Sequence, residues 1–468
     1  MLFHTQLFLL VFLPLVLGGY YLSARHRWAR QWLLIIASMV FYGYWDPRLV
    51  PLLAGSITVN WLLARACGRH RVARRWPVWA GIALNLVVLG IFKYADFFAA
   101  SIAALGGRVH DPWNIVLPLG ISFFTFQQIS YLADLGRGHD QAGYSTRLHG
   151  FADYALFVSF FPQLVAGPIV RHNELIGQFA LSPLREGLYQ RLNMGLVLLI
   201  LGVFKKTILA DGMATIADPL YAAAAAATAL NFAKAWTAAG AFGLQIYFDF
   251  SGYSDMAIGL ALMFGFSLPI NFNAPYRACS IRDFWRRWHM TLSRFLRDYL
   301  YIPLGGNRHG LARQLVAVMV TMLLGGLWHG AGWTFVAWGG LHGLGLAVNQ
   351  LWDRVGRPLP RPLAWLLAML VVFVGWVLFR AESFAAAAAI LSSMVGGSGW
   401  SLTLSGLPNL WMIPVAAMVA IVGPTSQRIA LELMTPWRWH TVGVAVALIL
   451  ALLQVGGGLS RDFVYFQF

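Results

Sequence analysis

The chain has 468 residues, of which 59% are hydrophobic and only 11% are charged, and its formal net charge is +16. A soluble protein of this length would divide into several domains with charged surfaces, so the composition indicates an all-α polytopic membrane protein. The arginines lie in short loops between apolar segments and not on a soluble domain, which argues against nucleic-acid binding. The two cysteines, Cys67 and Cys279, give neither a disulfide framework nor a metal site, and no metal is expected.

Long apolar segments predict the membrane spans in chain order. Their predicted bounds are 5–22, 30–44, 49–66, 78–98, 189–209, 236–266, 363–379, 409–424 and 438–455, and the region 315–348 is almost free of charge. The first segment lacks a basic stretch before it, so it is interpreted as a retained span and not as a cleaved signal. The apolar segment 152–169 is broken by prolines and a glycine, which favours a re-entrant hairpin. We expect a single transmembrane domain over residues 1–468, with a catalytic core at about 115–350.

Arginine clusters predict which loops face the cytoplasm. Arg25, Arg27 and Arg30 form one cluster, and residues 65–75 hold another. Because cytoplasmic loops are enriched in Lys and Arg, both clusters are predicted to be cytoplasmic, with the amino terminus outside. The polar loop 101–114 is then expected in the periplasm.

Residues 284–299 predict one amphipathic helix lying in the membrane interface. A spacing of about 100° per residue puts the aromatic residues on one arc and the arginines on the other. The arginines of the polar face include Arg286, Arg287 and Arg294. His289 falls at the edge of the apolar arc, so its ring is predicted to point inward.

A second histidine, His329, follows the uncharged run 315–327, with Trp328 before it and His342 beyond it. An ionisable side chain at membrane depth is costly and marks a candidate functional site. His289 and His329 together therefore predict a reaction centre buried beneath a cytoplasmic surface.

Further polar residues interrupt the apolar segments. Asp249 and Asp255 lie within the stretch 236–266 and would be costly against lipid, so they are predicted to line an interior cavity or to pair with arginine. Gln127 and Gln128 also need polar partners, so their helix is predicted to face protein or water.

The motifs at 249–255, 285–293 and 328–330 (Trp-His-Gly) resemble those of the membrane-bound O-acyltransferase family. The resemblance is to its bacterial branch, whose members acetylate alginate or cellulose and whose relatives D-alanylate teichoic acid. It includes the segment 161–169 and the terminal residues 463–468, so it covers nearly the whole chain. It implies a helical bundle with a central funnel or tunnel and with re-entrant and interfacial helices.

The resemblance also implies roles for individual residues and partners. His329 maps to the catalytic histidine and His289 to a second important position. Four further residues are candidates for a supporting role: Asp249, Asp255, Trp328 and His342. Acetyl-CoA is the implied donor, with no bound cofactor, and the three interfacial arginines (Arg286, Arg287 and Arg294) would suit its phosphates. Periplasmic acetyltransferase partners, SGNH-like or AlgJ-like, would complete the transfer outside a multi-pass protein embedded in the lipids of the bacterial inner membrane.

Acetyl transfer from a thioester to a hydroxyl suits these residues. It needs a general base for the hydroxyl or a nucleophile that carries the acetyl group, and a buried neutral imidazole can be either. It also needs water kept out, because hydrolysis competes. No Gly-x-Ser-x-Gly elbow accompanies the histidines, so a serine hydrolase is not indicated. The sequence thus predicts an O-acetyltransferase that serves an exopolysaccharide such as alginate or cellulose.

Other interpretations stay open at this point. A transporter could use buried His and Asp as a proton relay, although the paired broken helices that many transporters show in their two halves are not found. A structural subunit of a polysaccharide synthase would tolerate loss of both histidines. The histidines could also merely pack, the aspartates could serve folding, and the arginines could only anchor the topology.

Overall fold

A computed structural model describes residues 1–67, 76–137, 148–433, 439–457 and 461–464. Every regular element in these ranges is helical, which confirms the all-α prediction. The chain divides into two compact units, Met1–Leu199 with Met256–Pro269 and Ile200–Asp255 with Ile270–Phe468. The arginines at positions 69–75 and the terminal motif residues 465–468 lie outside the described ranges.

Six helices in the described part of the chain are long and apolar enough to cross a membrane, or up to seven if one bent pair counts as a span. The six are Pro47–Ala66, Trp76–Leu105, Leu188–Ala225, Gly310–His329, Arg361–Arg380 and Trp439–Gly456. The protein is thus a multi-pass membrane protein, as its composition predicts.

The apolar segment predicted as a span at 409–424 is not one continuous helix. Two helices, Met412–Ile421 and Ser426–Leu433, replace it and are bent by 63° at the break between them. Pro424 explains the break, because proline lacks a backbone N–H and keeps the residue before it out of the helical conformation. The guanidinium of Arg277 donates to the carbonyls of Ile421 and Gly423, so the carbonyls freed by the break are satisfied.

The first unit is built from helices and short helical turns. They are Phe8–Phe12 (π) with Leu13–Leu22, Arg27–Gly43, Pro47–Leu49 (3₁₀) with Val50–Ala66, Trp76–Leu89 with Gly90–Tyr94 (π) and Ala95–Leu105, Ile121–Arg137, Phe151–Ser159, Phe161–Leu164, His172–Leu175 and Ile176–Ala180 (3₁₀). Phe8, Phe41 and Phe161 pack together in its core. The predicted break in segment 152–169 is present, because the helix Phe151–Ser159 ends before Phe160 and only one further turn follows.

Two buried polar side chains in the first unit, Gln128 and Arg30, have protein partners. Gln128 donates to Ser56 and accepts from Tyr154, as the prediction that its helix faces protein requires. Arg30 is not a loop residue, since it lies in the helix Arg27–Gly43, is buried, and donates to the carbonyl of Leu181. The cytoplasmic placement of this arginine cluster stays a prediction.

The second unit carries the histidines. Its helices are Lys205–Ala210 (π) with Asp211–Ala225, Pro275–Arg277 (3₁₀), Ile281–Trp285, Met290–Leu296, Arg297–Tyr301 (π), Gly310–His329, Trp333–Val355, Arg361–Arg380, Phe384–Met394, Met412–Ile421, Ser426–Arg428, Ile429–Leu433 (π) and Trp439–Gly456. Two more helices, Leu188–Phe204 and Phe232–Met263, contribute residues to both units.

The helical hairpin Gly310–His329 and Trp333–Val355 packs backbone to backbone. A Cβ atom on Gly326 would collide with the carbonyl oxygen of Phe335, and one on Gly339 would collide with that of Met322. Glycine at these two positions lets the helices approach closely, as small residues do in membrane bundles. This approach brings the end of the first helix, where His329 lies, against the start of the second.

Candidate active site

His329 is the last residue of its helix and is 3% exposed. Its ring lies among aromatic rings, with centroid distances of 5.0 Å to Trp328, 5.0 Å to Trp338 and 5.5 Å to Phe379. The surroundings are therefore as apolar as the sequence predicts, and they keep bulk water away from the imidazole.

The predicted single interfacial helix at 284–299 is wrong, because the chain leaves the helical conformation between Trp285 and Met290. His289 takes a left-handed conformation, with φ 42° and ψ 53°. Two backbone hydrogen bonds to the segment 271–273 replace the helical ones: Met290 N–H donates to Asn271 and Asn273 N–H donates to Arg287, each at 2.9 Å. No proline or glycine marks this break, so tertiary pairing decides it.

The left-handed backbone buries His289 completely, which agrees with the prediction that its ring points inward. Such a conformation costs a non-glycine residue roughly 1–3 kcal/mol and persists only where the surroundings enforce it. His289 lies outside the candidate spans, and burial lowers its pKa to about 3. The ring is therefore neutral near pH 7.

Asn271 fixes the tautomer of His289. The backbone N–H of Thr291 donates to Asn271 Oδ1 at 3.2 Å, so this atom must be the acceptor oxygen and not the amide nitrogen. His289 Nδ1 lies 3.1 Å from the same oxygen and must carry a hydrogen to bond to it. The lone pair is then on Nε2, which has no hydrogen-bond partner among the residues that the structure describes. His289 is a neutral imidazole with a proton-accepting nitrogen.

The two predicted histidines come together. Their ring centroids are 6.3 Å apart, although they are forty positions apart in the chain. The ring centroid of Trp328 is 6.1 Å from that of His289, and Phe250 contacts the His289 ring edge to face at 4.7 Å. The site is thus a pair of buried imidazoles enclosed by aromatic side chains.

His342 lies one contact further from this pair. Trp285 Nε1–H donates to His342 Nδ1 at 3.2 Å, and the ring of Trp338 is 4.8 Å from that of His342. Since Trp338 also contacts His329, His342 can support the site through the two tryptophans. The structure thus places His342 near His289 and His329, but in contact with the tryptophans and not between the two imidazoles.

The predicted aspartates pair with lysines and not with arginine. Lys205 Nζ is 2.7 Å from Asp255, and Lys206 Nζ is 2.9 Å from Asp249 and 2.7 Å from Asp211. The sequence places both lysines near the end of a span at 189–209, but the helix continues through a π-helical turn to Ala225 and carries them inside the unit. We call Lys206, Asp211 and Asp249 the Lys206 triad.

The predicted donor-binding arginines are not buried, in contrast to the histidine rings. Arg286 is exposed, and Arg294 is half-buried in the helix Met290–Leu296. Arg287 is half-buried, with an ion pair to Asp283 at 2.8 Å. The structure therefore puts all three next to the His289 turn, with Arg286 the most accessible to a solute.

Three residues around the site were missed by sequence reasoning: Asn271, Phe250 and Lys206. Asn271 lies in a short polar stretch before the first histidine, and Phe250 is next to Asp249. The motifs that contain or adjoin them were recognised, but these two residues were not identified as part of the site. Nothing in the sequence shows that Lys206 lies opposite Asp249. No group of three or more His, Cys, Asp or Glu residues that could hold a metal ion is found in the described ranges.

Comparison with protein-family models matches residues 78–390 to MBOAT, the membrane-bound O-acyltransferase family. The peptidoglycan O-acetyltransferase of Helicobacter pylori is 41% identical over 435 residues, which cover 86% of this chain and 81% of that protein. The probable alginate O-acetylase AlgI of Pseudomonas aeruginosa is 42% identical over 428 residues, which cover 90% of this chain and 79% of that protein. The teichoic acid D-alanyltransferase of Streptococcus thermophilus is 29% identical over 246 residues, which cover 50% of this chain and 57% of that protein.

These matches confirm the resemblance carried by the histidine motifs. The family match covers well over half of the chain, and the first two relatives span most of it at more than 40% identity. The chain belongs to the membrane-bound O-acyltransferase family and is an acyltransferase.

Proposed function

We propose that this enzyme transfers acetyl groups from acetyl-CoA, bound on the cytoplasmic side of the bacterial inner membrane, to hydroxyls of a polysaccharide outside. Two of its relatives are named for O-acetylation, one of peptidoglycan and one of alginate. A periplasmic acetyltransferase partner, SGNH-like or AlgJ-like, takes the acetyl group on to the polymer in this proposal. Membership in an acyltransferase family sets aside the transporter interpretation.

The imidazole pair supports this function best. An acetyl acceptor needs a neutral base in a place that water does not reach, and the two rings provide it within 6.3 Å of each other. In the proposal, His329 takes the proton of the acceptor hydroxyl as the oxygen attacks the carbonyl carbon of the thioester. The tetrahedral intermediate then expels the thiolate of coenzyme A.

The tautomer of His289 suggests its role beside His329. Its Nε2 lone pair can stabilise the positive charge that develops on His329 as that ring takes the proton. A nitrogen that only accepts hydrogen bonds cannot donate one to a thioester carbonyl. An acceptor role toward His329 or toward the substrate hydroxyl suits this nitrogen better.

The function is tested with purified protein in lipid nanodiscs, supplied with radiolabelled acetyl-CoA and a glycan or partner-protein acceptor. We expect release of free coenzyme A together with label in the acceptor. Proton or ion flux in vesicles without acetyl transfer would contradict the proposal, as would a wild-type protein that binds acetyl-CoA and acetylates nothing.

Replacing Asn271 with Ala is expected to lower acetyl turnover roughly tenfold. The change removes the acceptor that fixes the His289 tautomer, and a lost hydrogen bond of about 1.4 kcal/mol corresponds to a factor of ten. Steady-state kinetics should show the loss in kcat and not in the KM for acetyl-CoA. Asn273→Ala is the matched control, because Asn273 is exposed and pairs with Arg287 through its backbone. Equal losses in the two variants would contradict the role of Asn271.

Replacing Arg286, Arg287 and Arg294 with Gln is expected to weaken acetyl-CoA binding and to reduce its dependence on salt, because contacts to phosphates would be charge-assisted. Binding is measured by titration at several salt concentrations. Arg297→Gln serves as the control, since Arg297 is exposed and already pairs with Asp298 at 2.6 Å. If the triple variant binds acetyl-CoA as the wild type does at every salt concentration, the arginines do not bind the donor and serve only to fix the membrane topology. Because Arg287 also pairs with Asp283, the variant Arg286→Gln is measured alone as well.

A further inference from the structure

The Lys206 triad holds the backbone of residues 461–464. Each member bonds one main-chain group: Lys206 Nζ donates to the carbonyl of Asp462 at 3.1 Å, Asp211 Oδ2 accepts from the N–H of Arg461 at 3.3 Å, and Asp249 Oδ2 accepts from the N–H of Val464 at 2.7 Å. All three side chains of the triad are at least nine-tenths buried. The triad therefore binds the main chain of this segment, and these bonds do not depend on the side chains that the segment carries.

The charges of the triad make this segment necessary to it. Two carboxylates face one ammonium group, so the ionised triad has an excess negative charge in a buried place. A buried charge is costly unless hydrogen bonds satisfy it, and the N–H groups of Arg461 and Val464 supply such bonds to one carboxylate each. The segment therefore supplies hydrogen bonds that the buried carboxylates need, and the triad in turn holds the backbone of the segment.

The segment contacts the site through Phe463. This side chain is buried, and its ring lies 4.9 Å from that of Tyr253 and 5.8 Å from that of Phe250. Phe250 in turn meets the His289 ring edge to face at 4.7 Å and 87°. Phe250 follows Asp249 directly in the helix Phe232–Met263. Two adjacent residues therefore link the segment to the imidazole, because Asp249 bonds the segment and Phe250 contacts the ring.

We propose that the Lys206 triad and residues 461–464 together position His289. The triad holds the segment in place, and Phe463 packs against Phe250 and keeps that ring in contact with the imidazole. Asn271 fixes one nitrogen of this ring, and Phe250 limits how the ring can turn about that bond. Neither Phe463 nor the triad touches the reacting atoms. The inference rests on the proposed function, because it concerns a ring that acts in acetyl transfer.

The test compares the full-length Phe463→Ala variant with the wild type in nanodiscs. We expect kcat for acetyl transfer to fall roughly two- to tenfold, which is the range for one lost aromatic contact, while the KM for acetyl-CoA stays unchanged. Phe463→Leu, which keeps most of the volume, should recover much of the rate. The matched control is Phe232→Ala, because Phe232 begins the helix that carries Phe250 and its ring pairs with Trp400 at 5.0 Å, away from His289.

A second measurement does not depend on activity. Diethyl pyrocarbonate acylates accessible neutral imidazoles, and mass spectrometry reports the modification of each histidine. In the wild type both His289 and His342 should be protected, since both are fully buried. Phe463→Ala should speed modification of His289 and leave His342 protected.

The outcomes separate this inference from the proposed function. A wild type without acetyl transfer would contradict the function, while the modification rates would still test the positioning of His289. An active wild type with equal kcat in Phe463→Ala, or with His289 and His342 exposed to the same degree, would overturn the positioning role. A fall in kcat with selective exposure of His289 would support it.

Discussion

Replacing His329 with Ala is expected to lower acetyl transfer by more than about a hundredfold, the usual contribution of a positioned general base. The side chain lies at the end of its helix among Trp328, Trp338 and Phe379, so bulk water is poorly placed to take the proton in its absence. The measurement is a single-turnover assay with labelled acetyl-CoA, together with an equilibrium titration of acetyl-CoA. Donor affinity should change little, because the predicted phosphate contacts lie elsewhere.

His309→Ala is the matched control for this variant. His309 is exposed and precedes the first residue of the same helix, at the end opposite His329. It should leave both transfer and affinity unchanged. A His329→Ala protein that is folded and acetylates at the wild-type rate would show that another group, with His289 the first candidate, takes the proton.

Replacing Lys206 with Met is expected to lower the free energy of unfolding by about 3–5 kcal/mol, the range for removing one partner of a buried ion pair. The loss follows because Asp211 and Asp249 remain buried without the ammonium group that lies 2.7 and 2.9 Å from them. Unfolding in detergent by denaturant or heat measures the change. Since whole domains are stable by only about 5–15 kcal/mol, much of the variant should be unfolded or degraded at growth temperature.

A compensating variant makes this expectation specific. Adding Asp211→Asn and Asp249→Asn to Lys206→Met removes the unpaired charges and should recover part of the stability. Lys205→Met is the control, because Lys205 is less deeply buried and its partner Asp255 also accepts from Gln427 at 2.5 Å. Equal destabilisation by Lys206→Met and Lys205→Met, with no recovery in the triple variant, would contradict the account of the triad.

The sequence was sufficient wherever a local property decides the outcome. Length and hydropathy identify the helix Gly310–His329, because any long uncharged segment must satisfy its backbone internally in lipid. The same reasoning makes a histidine at its end exceptional, and the motifs at 249–255, 285–293 and 328–330, taken together, were enough to identify the family. The prediction that His289 is buried is also correct, but a left-handed residue between two short helices buries it, and not the helical arc from which the prediction was made.

The tertiary structure decided what depends on partners distant in the chain. The helix is broken at His289 because residues 271–273 offer other backbone hydrogen bonds. No proline or glycine near the break indicates it in the sequence. Asp249 meets Lys206, and not an arginine, because a π-helical turn within a longer helix carries the lysine inward. Electrostatic pairing and hydrogen bonding act over a few ångströms of space, whatever the separation in sequence. The sequence by itself therefore determined the class of protein and its two histidines, while only the fold placed those rings 6.3 Å apart and left a lone pair on His289 Nε2.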